Sequence, residues 1–313
     1  MPTESYPLFC MGNPLLDIQV YGGEDLLKKY NLKENDAILA GEEHATIYDD
    51  VVKYYTPVYV AGGAAQNAAR AAAYILPQHS VVYVGCVGDD DLAIQLKKAN
   101  QNEGVESAYL VKKGEKTGAC AVVLTSVHRS LVTTLRAAQL FDPSHLATPE
   151  VATYIHNASH FYLGGFFLTH GLESALLLAT KAAEDRKVFA MNLSAPKYIV
   201  IGNESEAEAW AEAHKSKDLG VIAKAIAAFE KVNTSHPRIV VITNGAKPTI
   251  TYPIYEIKPE DIVDTNGAGD AFAGGFIGAL VLGKSIDEAV DAGHRLGSMC
   301  VGPQLKWPKE NIF

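Results

Sequence analysis

IVDTNGAGDAFAGGFIGALVL, residues 262–282, runs from the end of a strand through Asn266-Gly267-Ala268-Gly269 into an apolar helix of small residues. A strand, a glycine turn and a helix in that order make one βα unit. Outward from it the same order recurs. LFCMG (8–12), SVVYVGCV (80–87), HFYLGG (160–165), KVFAMNL (187–193), KYIVIG (197–202) and RIVVIT (238–243) are apolar or β-branched runs. Helical periodicity fills 63–76, 89–102, 171–185, 203–214 and 218–231 between them. Continuously apolar strands separated by helices predict a doubly wound α/β fold, a mainly parallel sheet with helices on both faces.

Two regions depart from that rhythm. Residues 13–60 (IQVYGG, AILAG, PVYVAGG) and 108–136 (AYLVKK, GACAVVLTS, SLVTTLR) read as short alternating strands. They predict a small sheet supplied by two insertions, standing as a lid over the carboxyl edge of the parallel strands, where open α/β sheets bind ligands. The whole of 1–313 is then one large domain with this lid.

Composition narrows the partners. The chain has 313 residues, 27 Lys and Arg against 36 Asp and Glu, a net charge of −9, 48% hydrophobic and 20% charged residues. That is a globular composition, not a disordered or fibrous one. The acidic balance argues against a large nucleic-acid footprint while leaving room for a local phosphate pocket. No stretch approaches the roughly 18 apolar residues of a membrane helix, and the first residues lack the basic head and apolar run of a signal peptide. Cys10, Cys86, Cys120 and Cys300 are widely spaced with no CxxC, which predicts reduced thiols in a cytoplasmic protein.

The glycine turn also carries chemistry. Glycines where a loop meets a helix N-terminus let backbone N–H groups converge, and the helix dipole adds roughly half a positive charge. Gly267, Ala268 and Gly269 thus predict an anion hole suited to a phosphoryl group. Asp270 in the first helical turn is either a helix-start acid or a base for an attacking hydroxyl; a carboxylate beside an anion hole repels the anion unless it moves a proton. No GxxxxGK[ST] and no GxGxxG after the first strand occurs, so Walker-type and dinucleotide-binding readings are unsupported.

Asp264-Thr265-Asn266-Gly267-Ala268-Gly269-Asp270-Ala271-Phe272 resembles the C-terminal signature of the ribokinase-like carbohydrate and nucleoside kinases, and Ala61-Gly62-Gly63-Ala64-Ala65-Gln66-Asn67-Ala68-Ala69 resembles that family's N-terminal glycine pair. GNPLLD (12–17), HRSLVTTL (128–135), GGFFLT (164–169), NLSAP (192–196) and GNESEAE (202–208) narrow the resemblance to the eukaryotic adenosine kinases, in the family's order from Gly12 to Phe272.

The resemblance implies roles residue by residue. Asp17, just past the first strand, grips the ribose 2′- and 3′-hydroxyls, with Asn13 and Asn67 beside it and Gly62 and Gly63 letting backbone approach the sugar. Read alone, Asp17 is a turn residue after Pro14. Ile38, Cys120, Leu135 and Phe166 make an apolar slot for a purine; singly, each is as readily core. Arg129, otherwise a solvated surface charge, reaches the transferring phosphates. Asn203 and Glu206 share one helix face: the pair suits Mg²⁺ on nucleotide phosphates, and equally an N-cap with its capping-box partner. Asn192, Thr243, Gly245, Thr265, Asn266 and, on a late helix, His294 are the expected nucleotide contacts, His294 being otherwise a structural histidine.

The family pattern carries a longer stretch after NLSAP. Here Pro196 runs straight into Lys197-Tyr198-Ile199-Val200, and no crossover of a dozen or more residues fits between the two strands. A second shortening falls near 249–253, where a hairpin is expected. The expected activity is ATP-dependent phosphorylation of adenosine at its 5′-hydroxyl to give AMP, with Mg²⁺, in a cytoplasmic monomer with the nucleus left open. Another nucleoside or a sugar as acceptor, or a non-catalytic nucleoside-binding homologue, are the alternatives.

Overall fold

Four apolar residues without alternation, Leu8–Met11, form β1, buried on both faces as a central parallel strand requires. The structure, a computed structural model, describes residues 5–34, 37–125, 128–192, 201–204, 206–207, 218–228, 239–244 and 267–301. After β1 come β2 (Leu15–Tyr21), α1 (Glu24–Lys29), β3 (Ala37–Leu39), α2 (Ile47–Tyr54), β4 (Val58–Gly62) and α3 (Ala64–Ile75). Then follow β5 (Val81–Val84), β6 (Cys86–Gly88), α4 (Asp91–Asn102), β7 (Val105–Ser107), β8 (Leu110–Lys112), β9 (Ala119–Thr125) and β10 (His128–Thr134). The remainder is α5 (Pro149–Asn157), β11 (His160–Leu163), α6 (Leu172–Glu184), β12 (Val188–Met191), β13 (Ile201–Asn203), α7 (Leu219–Ala227), β14 (Val241–Thr243), α8 (Ala268–Val281) and α9 (Ile286–Val301).

β1 pairs in parallel with β5 on one side and β11 on the other, giving the order β12-β11-β1-β5-β7. β13 and β14 pair in parallel, and a parallel bridge from Asn192 to Ile201 ties them to the β12 edge. The chain builds outward from β1 through β5 and β7, then returns to β11. Strand order therefore reverses beside β1, and the crevice at the carboxyl ends there is where such sheets bind ligands.

Helices α3, α8 and α9 cover one face of the sheet, and α5 and α6 the other. Small residues permit the first layer. A Cβ on Gly274 would come 2.4 Å from the Ala68 carbonyl oxygen, and one on Gly275 2.7 Å from that of Ala292. The small-residue run after the glycine turn is thus what lets α8 wedge between α3 and α9.

A second sheet has the order β3-β10-β9-β2-β4 and draws its strands from the two regions that departed from the βα rhythm. Its outer face packs on α1 and α2 through Leu26, Ile47, Tyr48 and Val51. These two helices lie where short strands were expected, because six and eight residues give too few turns for a clear period. AYLVKK also differs: β8 pairs with β6, outside the second sheet. SVVYVGCV breaks into β5 and β6 at Gly85, where a Cβ would strike Pro14 Cδ at 2.6 Å. Of 197–202, 203–214, 218–231 and 238–243, only β13, helical residues around Glu206, α7 and β14 fall among the described residues. Cys10, Cys86 and Cys120 are buried free thiols, while Cys300 is exposed. Among the described residues no helix is long and apolar enough to cross a membrane.

Candidate active site

Each parallel strand ends at the same edge, and the residues at or just past those ends are polar or glycine: Gly12-Asn13 after β1, Gly164 after β11, Asn192 after β12, Asn203 at the end of β13, Thr243 at the end of β14. Over this edge, between the main sheet and the second sheet, lies a cavity of about 440 Å³, a size suited to a small-molecule ligand. It gathers Asn13, Asp17, Ile38, Gly63, Asn67, Cys120, Leu135, Phe166, Glu206, Gly267, Gly269 and Asp270 from the sequence-derived set.

The floor is the N-terminus of α8. Gly267 caps it in the left-handed region at φ +71°, which a glycine adopts without strain. The first amides of a helix have no partner within it. A Cβ on Gly269 would meet nothing within 4 Å, so the space above those amides is open. Asp270 stands beside them and accepts a 3.1 Å hydrogen bond from Asn67 Nδ2 on α3. Surrounding protein pushes its carboxyl up to about 7, with the Asn67 hydrogen bond opposing and the charges of Asp17 and Glu206 reinforcing the rise. Its side chain is only partly covered: it faces the cleft, and the walls withhold solvent.

The ceiling is the second sheet. Asp17 on β2 sits opposite Cys120 on β9, and Cys120 opposite Thr133 on β10, so one row of side chains crosses the sheet. Thr133 Oγ1 donates to Cys120 Sγ at 3.3 Å, and burial pushes the Cys120 thiol up to about 12, so it stays protonated. Asp17 is 9% exposed. Burial raises its carboxyl to about 7 against the pull of the Arg129 and Arg70 charges. β4 approaches it so closely that a Cβ on Gly62 would lie 2.1 Å from Asp17 Oδ1. Gly63 comes as near to Asn13: its φ is +92°, and a Cβ there would lie 2.3 Å from the Asn13 carbonyl oxygen. Asn13 Oδ1 is buried with no hydrogen-bond partner among the described residues, a polar atom left for a ligand to satisfy.

The sequence missed several lining residues, and three were within its reach. Leu131 and Thr133 line the cavity between Arg129 and Leu135 in number, and the period-two alternation of β10 turns Arg129, Leu131 and Thr133 to one face. Leu15, two before Asp17, obeys the same rule. Ala65, Phe167 and Thr169 carried no such signal.

Other expected residues also make contacts within the protein. Asn192 Oδ1 accepts the Gly165 N–H at 2.6 Å, holding the loop that carries Phe166. His294 is buried behind α8, its ring edge-on to Phe272 at 5.1 Å, and burial lowers its pKa. Thr243 Oγ1 donates to the Gly202 carbonyl at 3.4 Å. Asn203 and Glu206 exchange backbone-to-side-chain hydrogen bonds at 3.0 and 2.9 Å, the capping-box reading, while Glu206 still reaches the cavity wall. Ala268 and Arg129 lie beside the cavity rather than on its wall. Gly245, Thr265 and Asn266, like the segments at 196–198 and 249–253, lie outside the described residues.

Comparison with known proteins bears on this cleft. The profile of the pfkB family carbohydrate kinases matches residues 25–304. The adenosine kinase of Schizophyllum commune is 54% identical over 342 residues, covering 99% of each chain. Among solved structures, Anopheles gambiae adenosine kinase in complex with P1,P4-di(adenosine-5) tetraphosphate superposes with a TM-score of 0.89 at 37% identity, covering 98% of each chain. Schistosoma mansoni adenosine kinase with adenosine, in an occluded loop conformation, gives 0.86 at 31% identity over 99% of each chain. The chain belongs to the pfkB family of carbohydrate kinases and, within it, to the adenosine kinases.

Proposed function

We propose that this chain transfers the γ-phosphoryl group of ATP to the 5′-hydroxyl of adenosine, giving AMP and ADP. The observation that carries the reading is the convergence in one cavity of two carboxylates with raised pKa values, Asp17 and Asp270, with the amides of α8 and an apolar wall. Asp17 and Asn13 hold the ribose hydroxyls, and the base lies against Ile38, Cys120, Leu135 and Phe166. The 5′-hydroxyl then faces Asp270. As its oxygen bonds to the γ-phosphorus, its proton passes to the Asp270 carboxylate. The bond from phosphorus to the β,γ-bridging oxygen breaks, with the electron pair leaving on ADP. The amides of Gly267 to Asp270 and the Arg129 guanidinium offset the charge that grows on the phosphoryl oxygens. Asn203, Thr243, Gly245, Thr265 and Asn266 attend the nucleotide.

Phosphoryl transfer of this kind uses Mg²⁺. Among the described residues no group of three or more His, Cys, Asp or Glu gathers to cage a metal. One carboxylate on the cleft, Glu206, fits a cation bound mostly by water and substrate phosphates. Glu206 would hold it, and it would supply charge neutralisation on the ATP phosphates.

A coupled assay of ADP release across adenosine, inosine, ribose and fructose tests the reading. Turnover should be confined to, or strongly favour, adenosine. Turnover confined to a sugar would overturn the substrate, and none at all would leave a binding protein.

The second sheet acts as the lid. It carries Asp17, Cys120 and Leu135, so adenosine gains contacts only if the sheet sits down on the main domain, expelling water from the phosphoryl site. Small-angle scattering with and without adenosine should show a smaller radius of gyration when bound; identical curves would rule out closure.

A further inference from the structure

Resting on the role of Asp270 just given, we infer that Glu103, Arg70 and Asn67 form a positioning chain that fixes which end of the Asn67 amide meets the Asp270 carboxylate. An asparagine amide presents NH₂ on one side and oxygen on the other, and the two orientations fill the same space. With NH₂ toward Asp270 the contact is a hydrogen bond. Turned over, it sets two oxygens against each other. Something must choose.

Arg70 lies three residues on along α3, on the same helix face as Asn67. Its Nη1 donates to Asn67 Oδ1 at 3.3 Å, while Asn67 Nδ2 donates to Asp270 Oδ2 at 3.1 Å. A guanidinium has donors only, so it accepts nothing but the oxygen end of the amide on its side and turns the NH₂ end to Asp270. The guanidinium is itself held in place. Nε and Nη2 donate to Glu103 Oε2 and Oε1 at 2.6 and 2.7 Å, a bidentate fork, and Nη1 donates also to the Ala61 carbonyl at 2.5 Å. Glu103 closes the C-terminus of α4. The chain thus runs from the end of α4 across α3 to the start of α8, and neither Arg70 nor Glu103 lines the cavity. Both act on the site only through what they hold.

The other groups facing Asp270 are Asp17 from β2, Glu206 after β13 and the Tyr162 hydroxyl from β11. From α9, Cys300 Sγ lies 3.6 Å from where a Gly267 Cβ would stand. Asn67→Ala leaves these groups in place, while Arg70→Met also removes a charge that lowers the Asp17 carboxyl. Losing the Asn67 donor removes a bond to the ionised form of Asp270, so its pKa must rise.

The test is a double-mutant cycle, read first without substrate. The carboxyl carbon of Asp270, assigned by its loss in Asp270→Asn, is titrated by NMR in wild type, Arg70→Met, Asn67→Ala and the double variant. Arg70→Met should raise the midpoint by roughly half to one unit, and adding it to Asn67→Ala should raise it no further. The same cycle in kcat should show Arg70→Met about 10-fold down, little change in KM, and no additional loss in the Asn67→Ala background. Arg70→Lys, which keeps a cation and a donor, should restore most of the midpoint and kcat. It also serves as the reporter if Arg70→Met does not fold, its midpoint then compared with wild type and with Arg70→Lys/Asn67→Ala. Additive shifts would mean that Arg70 acts by charge alone and would overturn the chain, as would an unmoved midpoint. Failure of wild type to release ADP would instead strike the functional reading, since the NMR cycle needs no turnover.

Discussion

Asp270→Asn is expected to lower kcat by at least ~10²-fold, because a positioned base typically contributes ~10²–10⁴ to proton removal in the transition state. Adenosine and ATP should still bind, since the amide fills the same volume at the start of α8 and removes a negative charge that repels phosphate. The alternative for Asp270, a helix-start acid only, predicts near-normal kcat and tighter ATP binding. A variant retaining more than about a tenth of wild-type kcat would remove Asp270 from the mechanism. The pH profile should agree. With its carboxyl raised to about 7, Asp270 is protonated and idle below that pH, so wild-type kcat should fall as pH drops through 7. Stability has the opposite sense. A carboxyl that holds its proton more tightly when folded destabilises the fold once pH rises from about 4 through about 7, where ionisation is forced on it. Asp270→Asn escapes that cost. Its melting temperature should exceed wild type at pH 8, by the equivalent of about 1 kcal/mol after allowing for the solvent that reaches the cleft. The gain should vanish toward pH 4. Equal melting temperatures at pH 8 would mean that the carboxyl is not strained by its surroundings.

What the sequence disclosed and what it withheld divide along a physical line. Strands buried on both faces are apolar throughout, so β1 and β5 stood out as uninterrupted runs, and β11 and β12, buried toward their C-terminal ends, did so nearly as well. The glycine turn stood out because only a left-handed cap at Gly267 and small residues along α8 satisfy both the amide floor and the tight packing on α3 and α9. Helices α1 and α2 were hidden for the converse reason: one or two turns bury too few residues to register a period. In the site, residues held by local motif were legible. Those recruited by register across β2, β9 and β10 were half legible, since the row Asp17, Cys120, Thr133 depends on strand pairing that no single segment encodes. At Asn192 a polar residue at a strand end reads as a ligand contact; what the sequence withheld is that its oxygen accepts the Gly165 N–H.

The short connection after NLSAP has a structural counterpart. Asn192 and Ile201 bridge in parallel with only eight residues between them, whereas a parallel crossover takes about a dozen or more. The second sheet, α3 and α8 carry the residues on which the proposed mechanism depends.

Asp17→Ala is expected to raise the KM for adenosine about 10²-fold, because two ribose hydroxyls lose their acceptor at ~1–3 kcal/mol each. The effect should fall on nucleoside and not on ATP, since Asp17 belongs to the second sheet while the amides that take the phosphates belong to α8. A second consequence has a definite sign. The Asp17 charge is among those that raise the Asp270 carboxyl; removing it lowers that pKa, so the acid limb of the kcat profile should move to lower pH even as KM climbs. A third isolates the contact itself. Wild type should discriminate against 2′-deoxyadenosine, because the analogue leaves the buried Asp17 carboxylate short of a donor. In Asp17→Ala no acceptor remains to be disappointed, and the ratio of kcat/KM between the two nucleosides should fall toward one. The cavity so created lies against Gly62, whose missing Cβ leaves the carboxylate its room, so the strands need not shift and the fold should survive. Undiminished discrimination against the deoxynucleoside, or an ATP KM that rises while that for adenosine stays put, would sink the assignment of Asp17 to the ribose.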